Sequence, residues 1–257
     1  MPRMRTRLLA GVPALLLLAT LTACNDDGDD EKASDDTTTS ASPTASDSPT
    51  DDASASDSAD DASASSDTAG GTACAFTPDG KEPSRDVTAP PATTDLTGQV
   101  PAVIKTSIGD LKLTLDADKA PCTVASFVSL AEQGYYDDTS CHRQGNDPGF
   151  EFLQCGDPTG TGSGGPGYTI PDELDGTEKY PAGTLAMANT GVKDSGGGQF
   201  FMVFGESQFP PSYTVWGKLD AASLKTLQKA AASGNQGAPG QGGAPNTPVT
   251  FKSIKVG

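Results

Sequence analysis

Three segments of the chain concentrate the polar, aromatic and glycine residues that could carry chemistry. The first joins His142 and Arg143 to Phe152 and Gln154, the second is a glycine-rich loop over residues 159–168, and the third spans residues 183–218. Such residues suggest two chemistries: phosphate binding by the glycine-rich loop, and nucleophilic hydrolysis with His142 as base. In order along the chain the segments contain CHR, FLQCGDP, TGTGSGGPGY, GTLAMAN, GGQFF and YTVWGK.

The surroundings of these residues argue against hydrolysis, phosphate binding and metal chemistry. The glycine-rich loop lacks the Gly-Lys-Ser/Thr ending of a nucleotide-binding loop, and no helical pattern follows it. A Gly-x-Ser-x-Gly elbow, which presents the nucleophile of many serine hydrolases, is missing. His142 is the one histidine of the chain, and no Cys-x-x-Cys pair exists, so we expect no metal and no cofactor.

Alternating strands and two helices must position these segments. Val103 to Leu115 alternates apolar and polar residues around Gly109-Asp110, which predicts a β-hairpin. Pro121 favours a helix start, and the apolar spacing that follows predicts a helix as far as Gly134. A second helix is predicted over residues 221–232, and residues 213–218 and 249–256 read as strands. Many strands with two separated helices indicate a closed β-barrel capped by helices.

Taken together, the motifs resemble those of cyclophilins. The resemblance runs from about Val103 to the C-terminus and includes the helix PCTVASFVSLAEQGYYD before the ordered segments given above. It implies a mainly β fold, a closed eight-stranded antiparallel barrel capped by two α-helices. It also implies a peptidyl-prolyl cis–trans isomerase that acts on proline-containing polypeptides without a cofactor.

The chemistry implied by this resemblance is rotation about a partial double bond. The barrier to peptide-bond rotation is about 18–20 kcal/mol, and X–Pro exchange takes tens to hundreds of seconds without a catalyst. In the twisted amide the prolyl nitrogen regains lone-pair character and can accept a hydrogen bond. A permanently charged guanidinium is a suitable donor, so the reaction needs no covalent step.

The resemblance also assigns roles to individual residues. Arg143 matches the arginine that donates toward the prolyl nitrogen, Gln154 the glutamine that holds the substrate backbone, and Asn189 the strand residue that completes the catalytic set. His142 is placed beside them in a supporting role, because the reaction needs no general base. The residues implied to bind substrate around the proline ring are Phe152, Ala188, Phe201, Phe209 and Tyr213, together with His142.

One stretch departs from the family pattern. Residues 144–152 are longer than usual, and counting back from Gln154 puts Glu151 where many cyclophilins have an aromatic pocket residue. An ionised carboxylate against a proline pocket would be costly. Either Phe150 enters the pocket, or Glu151 turns away, or activity is reduced. The last case favours a binding chaperone for proline segments with little turnover; a purely structural surface lipoprotein would leave the pocket residues unexplained.

Four cysteines, Cys74, Cys122, Cys141 and Cys155, lie in the part of the chain with regular patterning. An even count in an exported chain favours disulfides, and the sequence leaves three connectivities open. If residues 143–154 form a hairpin, Cys141 and Cys155 come close across it. We favour instead Cys122–Cys141 with Cys74–Cys155, which would tie the lead-in to the barrel.

The N-terminal part has the pattern of an export signal. Arg3, Arg5 and Arg7 precede an apolar run that ends in Leu21-Thr22-Ala23-Cys24. Small residues before a cysteine resemble a bacterial lipobox. We therefore expect residues 1–23 to be a signal peptide and Cys24 to carry a lipid that anchors the exported protein to the extracellular face of the cell membrane.

Composition separates a tether from the folded part. Residues 24–73 hold 14 of the 34 acidic residues and no Val, Ile, Leu, Met or aromatic residue, so they predict a disordered acidic tether. Residues 74–99 read as an extended lead-in and residues 100–257 as one isomerase-type domain. The net charge of −17 and the lack of a basic patch exclude nucleic acid as an expected partner. We expect a monomer.

Overall fold

The computed structural model describes residues 70–257; the expected signal peptide, Cys24 and the expected tether up to residue 69 lie outside the described residues. Within the described part, antiparallel strands and two helices follow one another. The strands are β1 Thr72–Ala73, β2 Thr77–Pro78, β3 Thr93–Thr94, β4 Gln99–Thr106, β5 Gly109–Asp116, β6 Arg143–Asp147, β7 Phe150–Cys155, β8 Tyr168–Thr169, β9 Thr184–Met187, β10 Phe200–Val203, β11 Val215–Leu219 and β12 Phe251–Val256; the helices are α1 Pro121–Glu132 and α2 Ala221–Ala231.

Eight strands form one antiparallel sheet in the order β12-β4-β5-β11-β9-β10-β7-β6. The sheet curls around a core in which Phe127 of α1 and Phe200 of β10 pack against Trp216, with ring centroids 4.7 and 5.4 Å from the tryptophan. The predicted hairpin is confirmed as β4 and β5, because Ile104 and Leu111 point into this core. Its turn is Ser107-Ile108, two residues before the expected one, since Thr106 already pairs with Gly109.

The expectation of a closed barrel is wrong: the sheet is an open, curled half-barrel. Its edge strands β12 and β6 do not pair with each other in the described chain. Single bridges, Ser140 to Thr250 and Gln144 to Gly243, span the gap instead. The free edge of β6 is therefore used by a loop, and the ladder cannot continue into β12.

Both predicted helices are present, and each obtains an N-terminal cap in a different way. Asp220 caps α2 by accepting a hydrogen bond from the backbone N–H of Ser223 at 2.7 Å. Ala120 has no side chain that could cap α1. The carboxylate of Glu173, 50 residues away, takes that role by accepting from the N–H groups of Cys122 and Thr123, each at 2.8 Å. Neither α1 nor α2, the helices of residues 70–257, combines the length and the apolar composition of a membrane span.

The lead-in is ordered into short pairings rather than simply extended. β1 pairs with β3 and β2 pairs with β8, so pairing begins at Thr72, inside the segment expected to be tether. Arg85 donates to the carbonyls of Gly134 and Asp137 at 2.6 and 2.7 Å, which ties the lead-in to the end of α1.

The favoured disulfide arrangement is also wrong. The bonds are Cys74–Cys122 and Cys141–Cys155, with Cα atoms 5.3 and 4.0 Å apart. The pairing of β6 with β7 brings Cys141 alongside Cys155, as the hairpin alternative expected. Cys74, which follows β1, then reaches the first turn of α1.

We predict that the two disulfides stabilise the domain to different extents. They close loops of 48 and 14 residues, and loop-closure entropy then gives about 4 and about 3 kcal/mol. The double variant Cys74→Ser/Cys122→Ser should lose more free energy of unfolding in urea than Cys141→Ser/Cys155→Ser. Peptide mapping under non-reducing conditions checks the connectivity, and a Cys122–Cys141 peptide would contradict it.

Candidate active site

Arg143 and Gln154 face each other across the β6–β7 hairpin. They are direct partners in the antiparallel register, and Nη1 of Arg143 donates to Oε1 of Gln154 at 3.5 Å. Two residues that are eleven positions apart in sequence thus share one side of a two-stranded ribbon. The hairpin, closed by the Cys141–Cys155 bond next to this pair, brings a cation and an amide to one spot.

Strand alternation along β7 decides which residues join them. Phe150, Phe152 and Gln154 lie on the outer face, whereas Leu153 is fully buried in the core. Glu151 points away from the aromatic residues and packs on Gly205, where a methyl group would collide with its carboxylate. Phe150 therefore provides the apolar wall, and the carboxylate does not face it.

Six rings on the outer face of the sheet form a cluster, here called the aromatic floor. Phe201 is its centre, with ring centroids of Phe209 and Tyr213 at 5.5 and 5.3 Å in edge-to-face contact. The floor is half open to solvent: Phe201 at its centre is only 5% exposed, whereas Phe209 and Tyr213 beside it are partly accessible. Its members are Phe150, Phe152, Tyr180, Phe201, Phe209 and Tyr213.

Tyr180 belongs to the floor although sequence reasoning missed it. Its hydroxyl donates to the carbonyl of Tyr213 and accepts from the N–H of Tyr213, each at 3.0 Å. This double contact fixes the backbone that carries the Tyr213 ring. Tyr180 lies in a loop outside the motifs, so no signal in the sequence pointed to it.

The guanidinium of Arg143 lies at the edge of the aromatic floor. Its central carbon is 5.4 Å from the ring centroid of Phe150 and 5.1 Å from that of Phe152, distances that allow cation–π attraction. On its other side, Nε and Nη2 donate to the carbonyl oxygen of Gln241 at 3.1 and 3.0 Å. Gln241 lies in the loop between α2 and β12 and was not expected near the site.

Gln154 is held by a second glutamine that the sequence analysis had not assigned. Its Nε2 donates to Oε1 of Gln199 at 2.9 Å. Gln199 in turn donates to the carbonyls of Gly162 and Gly164 at 3.0 and 2.9 Å. Gln199 stands in the GGQFF motif, so its position, though not its role, was visible in the sequence.

The glycine-rich loop is built around the buried carboxylate of Asp157. Oδ1 accepts from the N–H of Thr159 at 2.7 Å, and Oδ2 accepts from those of Gly162 and Gly164 at 2.7 and 3.2 Å. Burial acts to raise the pKa of this carboxyl, but hydrogen bonds from Thr159, Gly164 and Gly162 outweigh it, so the pKa lies below its ordinary value. The loop thus directs the N–H groups of Thr159, Thr161, Gly162 and Gly164 at an internal carboxylate, and these groups are not available to a phosphate.

His142 lies behind Arg143 and outside the aromatic floor. Its ring packs against Gly162, and neither ring nitrogen has a hydrogen-bond partner among residues 70–257. Burial lowers the pKa of His142; the nearby Asp157 carboxylate raises it in part, and Arg143 lowers it further. His142 is therefore neutral at pH 7, which fits a supporting role.

Ala188 and Asn189 form the far border of the site. The N–H of Ala188 donates to the carbonyl of Gln199 at 3.0 Å, and the Asn189 side chain donates to the carbonyl of Ser212 at 2.8 Å. A cavity of about 400 Å³ continues from Gln154 and Gln199 past these two residues to the lead-in. Ala188 also packs against the aromatic floor, so the cavity and the floor lie side by side, and the two are here called the groove. No group of three metal-binding side chains occurs in the described part of the chain.

Comparison with known proteins gives this geometry a family. Residues 102–256 match the family model for cyclophilin type peptidyl-prolyl cis-trans isomerases. The chain belongs to this family. Similar to it are a probable peptidyl-prolyl cis-trans isomerase B of Mycobacterium tuberculosis, 42% identical over 67% of this chain and 61% of the relative, and a peptidyl-prolyl cis-trans isomerase of Synechococcus elongatus, 46% identical over 49% of this chain and 86% of the relative.

A solved structure agrees with the sequence relatives. The cyclophilin-type fold also occurs in the crystal structure of a Cryptosporidium parvum cyclophilin type peptidyl-prolyl cis-trans isomerase, with a TM-score of 0.54, 31% identity and coverage of 62% of this chain and 98% of the other. The chain spans only about 61% of the length of its Mycobacterium tuberculosis relative. The cyclophilin-type domain is thus the part that this chain shares with its relatives.

We predict that Asp157 stabilises the cyclophilin-type domain as an anion. Asp157→Asn puts an amide N–H₂ among N–H donors and should lower the free energy of unfolding at pH 7 by about 1–3 kcal/mol. Because the pKa of Asp157 is lowered in the folded state, its carboxylate stabilises the fold at pH values above the ordinary pKa of 3.8. This stabilisation is lost as the pH falls through the folded-state pKa. The difference in free energy of unfolding between wild type and Asp157→Asn should therefore narrow below pH 3.8.

Urea unfolding at pH 7 and below pH 3.8 measures that gap. Asp110→Asn, at an exposed position of β5, is the matched control and should change the free energy of unfolding by less than about 0.5 kcal/mol. An Asp157→Asn variant as stable as Asp110→Asn at pH 7 would rule out the anionic role.

Proposed function

We propose that the protein is a peptidyl-prolyl cis–trans isomerase that acts on proline-containing segments of exported polypeptides. The observation that carries this proposal is the position of the Arg143 guanidinium. It lies at the edge of a half-open aromatic floor, directly beside the amide of Gln154. Membership of the cyclophilin type family supports the same activity.

The aromatic floor offers a surface for the proline ring. Phe209 and Tyr213 are partly accessible beside the buried Phe201. The carboxylate of Glu151 is turned away from these rings onto Gly205. A pyrrolidine ring buried there gains hydrophobic stabilisation of about 25 cal/mol per Å² of apolar surface removed from water. Binding the ring fixes one side of the amide, so rotation moves the carbonyl of the residue before proline.

Polar groups along the groove can hold the substrate backbone on either side of that ring. Gln154 is immobilised by Gln199, and Asn189 by Ser212, so neither amide needs to be ordered when the substrate arrives. Preorganised groups contribute more to catalysis than mobile ones because their ordering entropy does not have to be offset during the reaction.

Arg143 supplies the group that favours the transition state. As the amide twists, its nitrogen becomes pyramidal and basic, and a guanidinium N–H directed at the proline ring can donate to it. This bond is stronger in the twisted state than in either planar isomer, which is the condition for catalysis without a covalent intermediate.

The decisive variant is Arg143→Ala in a protease-coupled assay of a prolyl peptide. Loss of the donor should lower kcat/KM by about 10²-fold. Arg85→Ala is the matched control: it also removes an arginine that donates to backbone carbonyls, Gly134 and Asp137, but outside the site. It should lower Tm and leave kcat/KM within about twofold.

The alternative function, a chaperone that binds proline segments with little turnover, gives a different result. Wild type and Arg143→Ala would then both show the uncatalysed rate, while a prolyl peptide would still bind the aromatic floor. The carboxylate of Glu151 was the main argument for this alternative, and its position on Gly205 weakens the argument.

We further propose that the protein is exported and anchored by a lipid on Cys24 at the extracellular face of the membrane. The motif Leu21-Thr22-Ala23-Cys24 supports this, as do two disulfides in the folded part, which are typical of oxidising compartments. The domain would then meet polypeptides as they emerge from export, when X–Pro isomerisation limits folding.

Cys24→Ala should abolish incorporation of a labelled fatty acid in cells. Removal of the thiol takes away the only atom of this motif that can carry a thioether-linked lipid. Cys74→Ser/Cys122→Ser is the control and should keep the label, since those thiols are engaged in a disulfide. A Cys24→Ala protein that still carries label would contradict the anchor.

A further inference from the structure

The guanidinium of Arg143 is held on more sides than a catalytic donor needs. Arginine has five N–H donors in a rigid plane. Nε and Nη2 donate to the single carbonyl oxygen of Gln241 at 3.1 and 3.0 Å, and Nη1 donates to Gln154 at 3.5 Å. Three donors are engaged, and the second N–H of each terminal nitrogen has no partner among residues 70–257. The contact with Gln241 therefore decides where the free N–H groups point.

The carbonyl of Gln241 is presented by a loop over residues 235–245, here called the clamp loop. The loop is closed at its base by the pairing of Asn235 with Pro245 and by a bond from the N–H of Gln236 to the carbonyl of Ala244 at 2.9 Å. At its tip the N–H of Gln241 donates to the carbonyl of Ala238 at 3.1 Å. These bonds give a glycine-rich segment a defined shape.

The clamp loop is docked on the free edge of β6, next to Arg143. The N–H of Gln144 donates to the carbonyl of Gly243 at 2.7 Å, and the N–H of Gly243 donates back to the carbonyl of Gln144 at 3.0 Å. The N–H of Gly240 donates to the Asp147 carboxylate at 2.7 Å. A strand edge and a carboxylate thus fix the loop on both sides of Gln241.

Docking at this distance requires glycine. Gly242 has a φ of +68°, and a Cβ there would lie 2.7 Å from the carbonyl oxygen of Gln144 and 3.5 Å from Cγ of Arg143. Any side chain at position 242 must push the loop away from β6. Because Gln241 is the preceding residue, its carbonyl would move away from the guanidinium at the same time.

We propose that the clamp loop is a positioning element for the isomerase reaction, with the backbone carbonyl of Gln241 orienting Arg143 toward the substrate. The inference rests on the proposed isomerase activity, in which Arg143 donates to the prolyl nitrogen. Gln241 acts through its backbone, so its side chain can vary, and it touches no substrate. The open edge of the half-barrel then serves to bind the clamp loop. If β6 paired with β12 to close the barrel, no free edge of β6 would remain for the loop.

Gly242→Ala tests the proposal, with Gly98→Ala as the matched control. Gly98 has nearly the same φ, +69°, so alanine is equally strained there, but a Cβ at position 98 meets no atom within 4 Å. In the full chain, Gly242→Ala should lower kcat about tenfold with little change in KM, because orientation matters most in the transition state. Gly98→Ala should keep kcat within twofold of wild type, and its Tm should fall less than that of Gly242→Ala, which also meets the Gln144 carbonyl.

A double-mutant cycle separates positioning from general damage. Lysine has one side-chain nitrogen, so in an Arg143→Lys protein it cannot hold the Gln241 carbonyl through two nitrogens of one plane. Adding Gly242→Ala to that protein should therefore cause no further loss of kcat. If Gly242→Ala lowers the rate of the Arg143→Lys protein by the same factor as that of wild type, the loop does not act through Arg143 and the proposal is overturned.

A spectroscopic measurement keeps this test independent of the activity. In the full chain labelled with ¹⁵N-arginine, the Nε–H resonance of Arg143, identified by its loss in Arg143→Lys, should be protected from exchange in wild type and in Gly98→Ala, and exposed in Gly242→Ala. A wild type without isomerase activity but with this protection would refute the proposed function and leave the clamp intact. An active wild type whose Nε–H is unprotected would refute the clamp.

Discussion

The antiparallel pairing of β6 with β7 is the constraint on which the site depends. It sets Arg143 opposite Gln154, places Cys141 within bonding distance of Cys155, and leaves the outer edge of β6 free. A shift by one residue would turn Arg143 toward the core, because side chains alternate between faces with a period of two. The disulfide limits such slippage at the end of the ribbon where the two polar residues meet.

The same alternation divides the aromatic residues between structure and function. On β10, Phe200 and Met202 enter the core around Trp216, whereas Phe201 lies in the aromatic floor and Val203 packs with it on the same face. The core side is closed by α1 and the curled sheet. On the outer side Phe152 and Phe201 are buried, while Phe150, Phe209 and Tyr213 stay partly accessible. The apolar surface that a proline ring could meet is therefore the part that these three rings leave open.

A continuous polar chain runs beside this floor. It leads from Gln241 through Arg143, Gln154 and Gln199 to the loop carbonyls held around Asp157. The cation within this chain is half exposed and available to substrate, whereas the carboxylate at its far end is buried and satisfied entirely by the loop. The anion thus organises the backbone that steadies the glutamines, and it does not neutralise the arginine directly.

The sequence by itself determined what depends on local pattern and motif: the β4–β5 hairpin, both helices, the family resemblance and the placing of Arg143, Gln154 and Phe201. Only the tertiary structure decided the disulfide partners, the open sheet, the side of β7 that carries Glu151, and the contacts of Tyr180 and Gln241. The reason is physical. Periodicity reports which face a residue takes within its own element, whereas pairing of edges and packing of loops depend on distances between segments far apart in the chain, which no local pattern encodes.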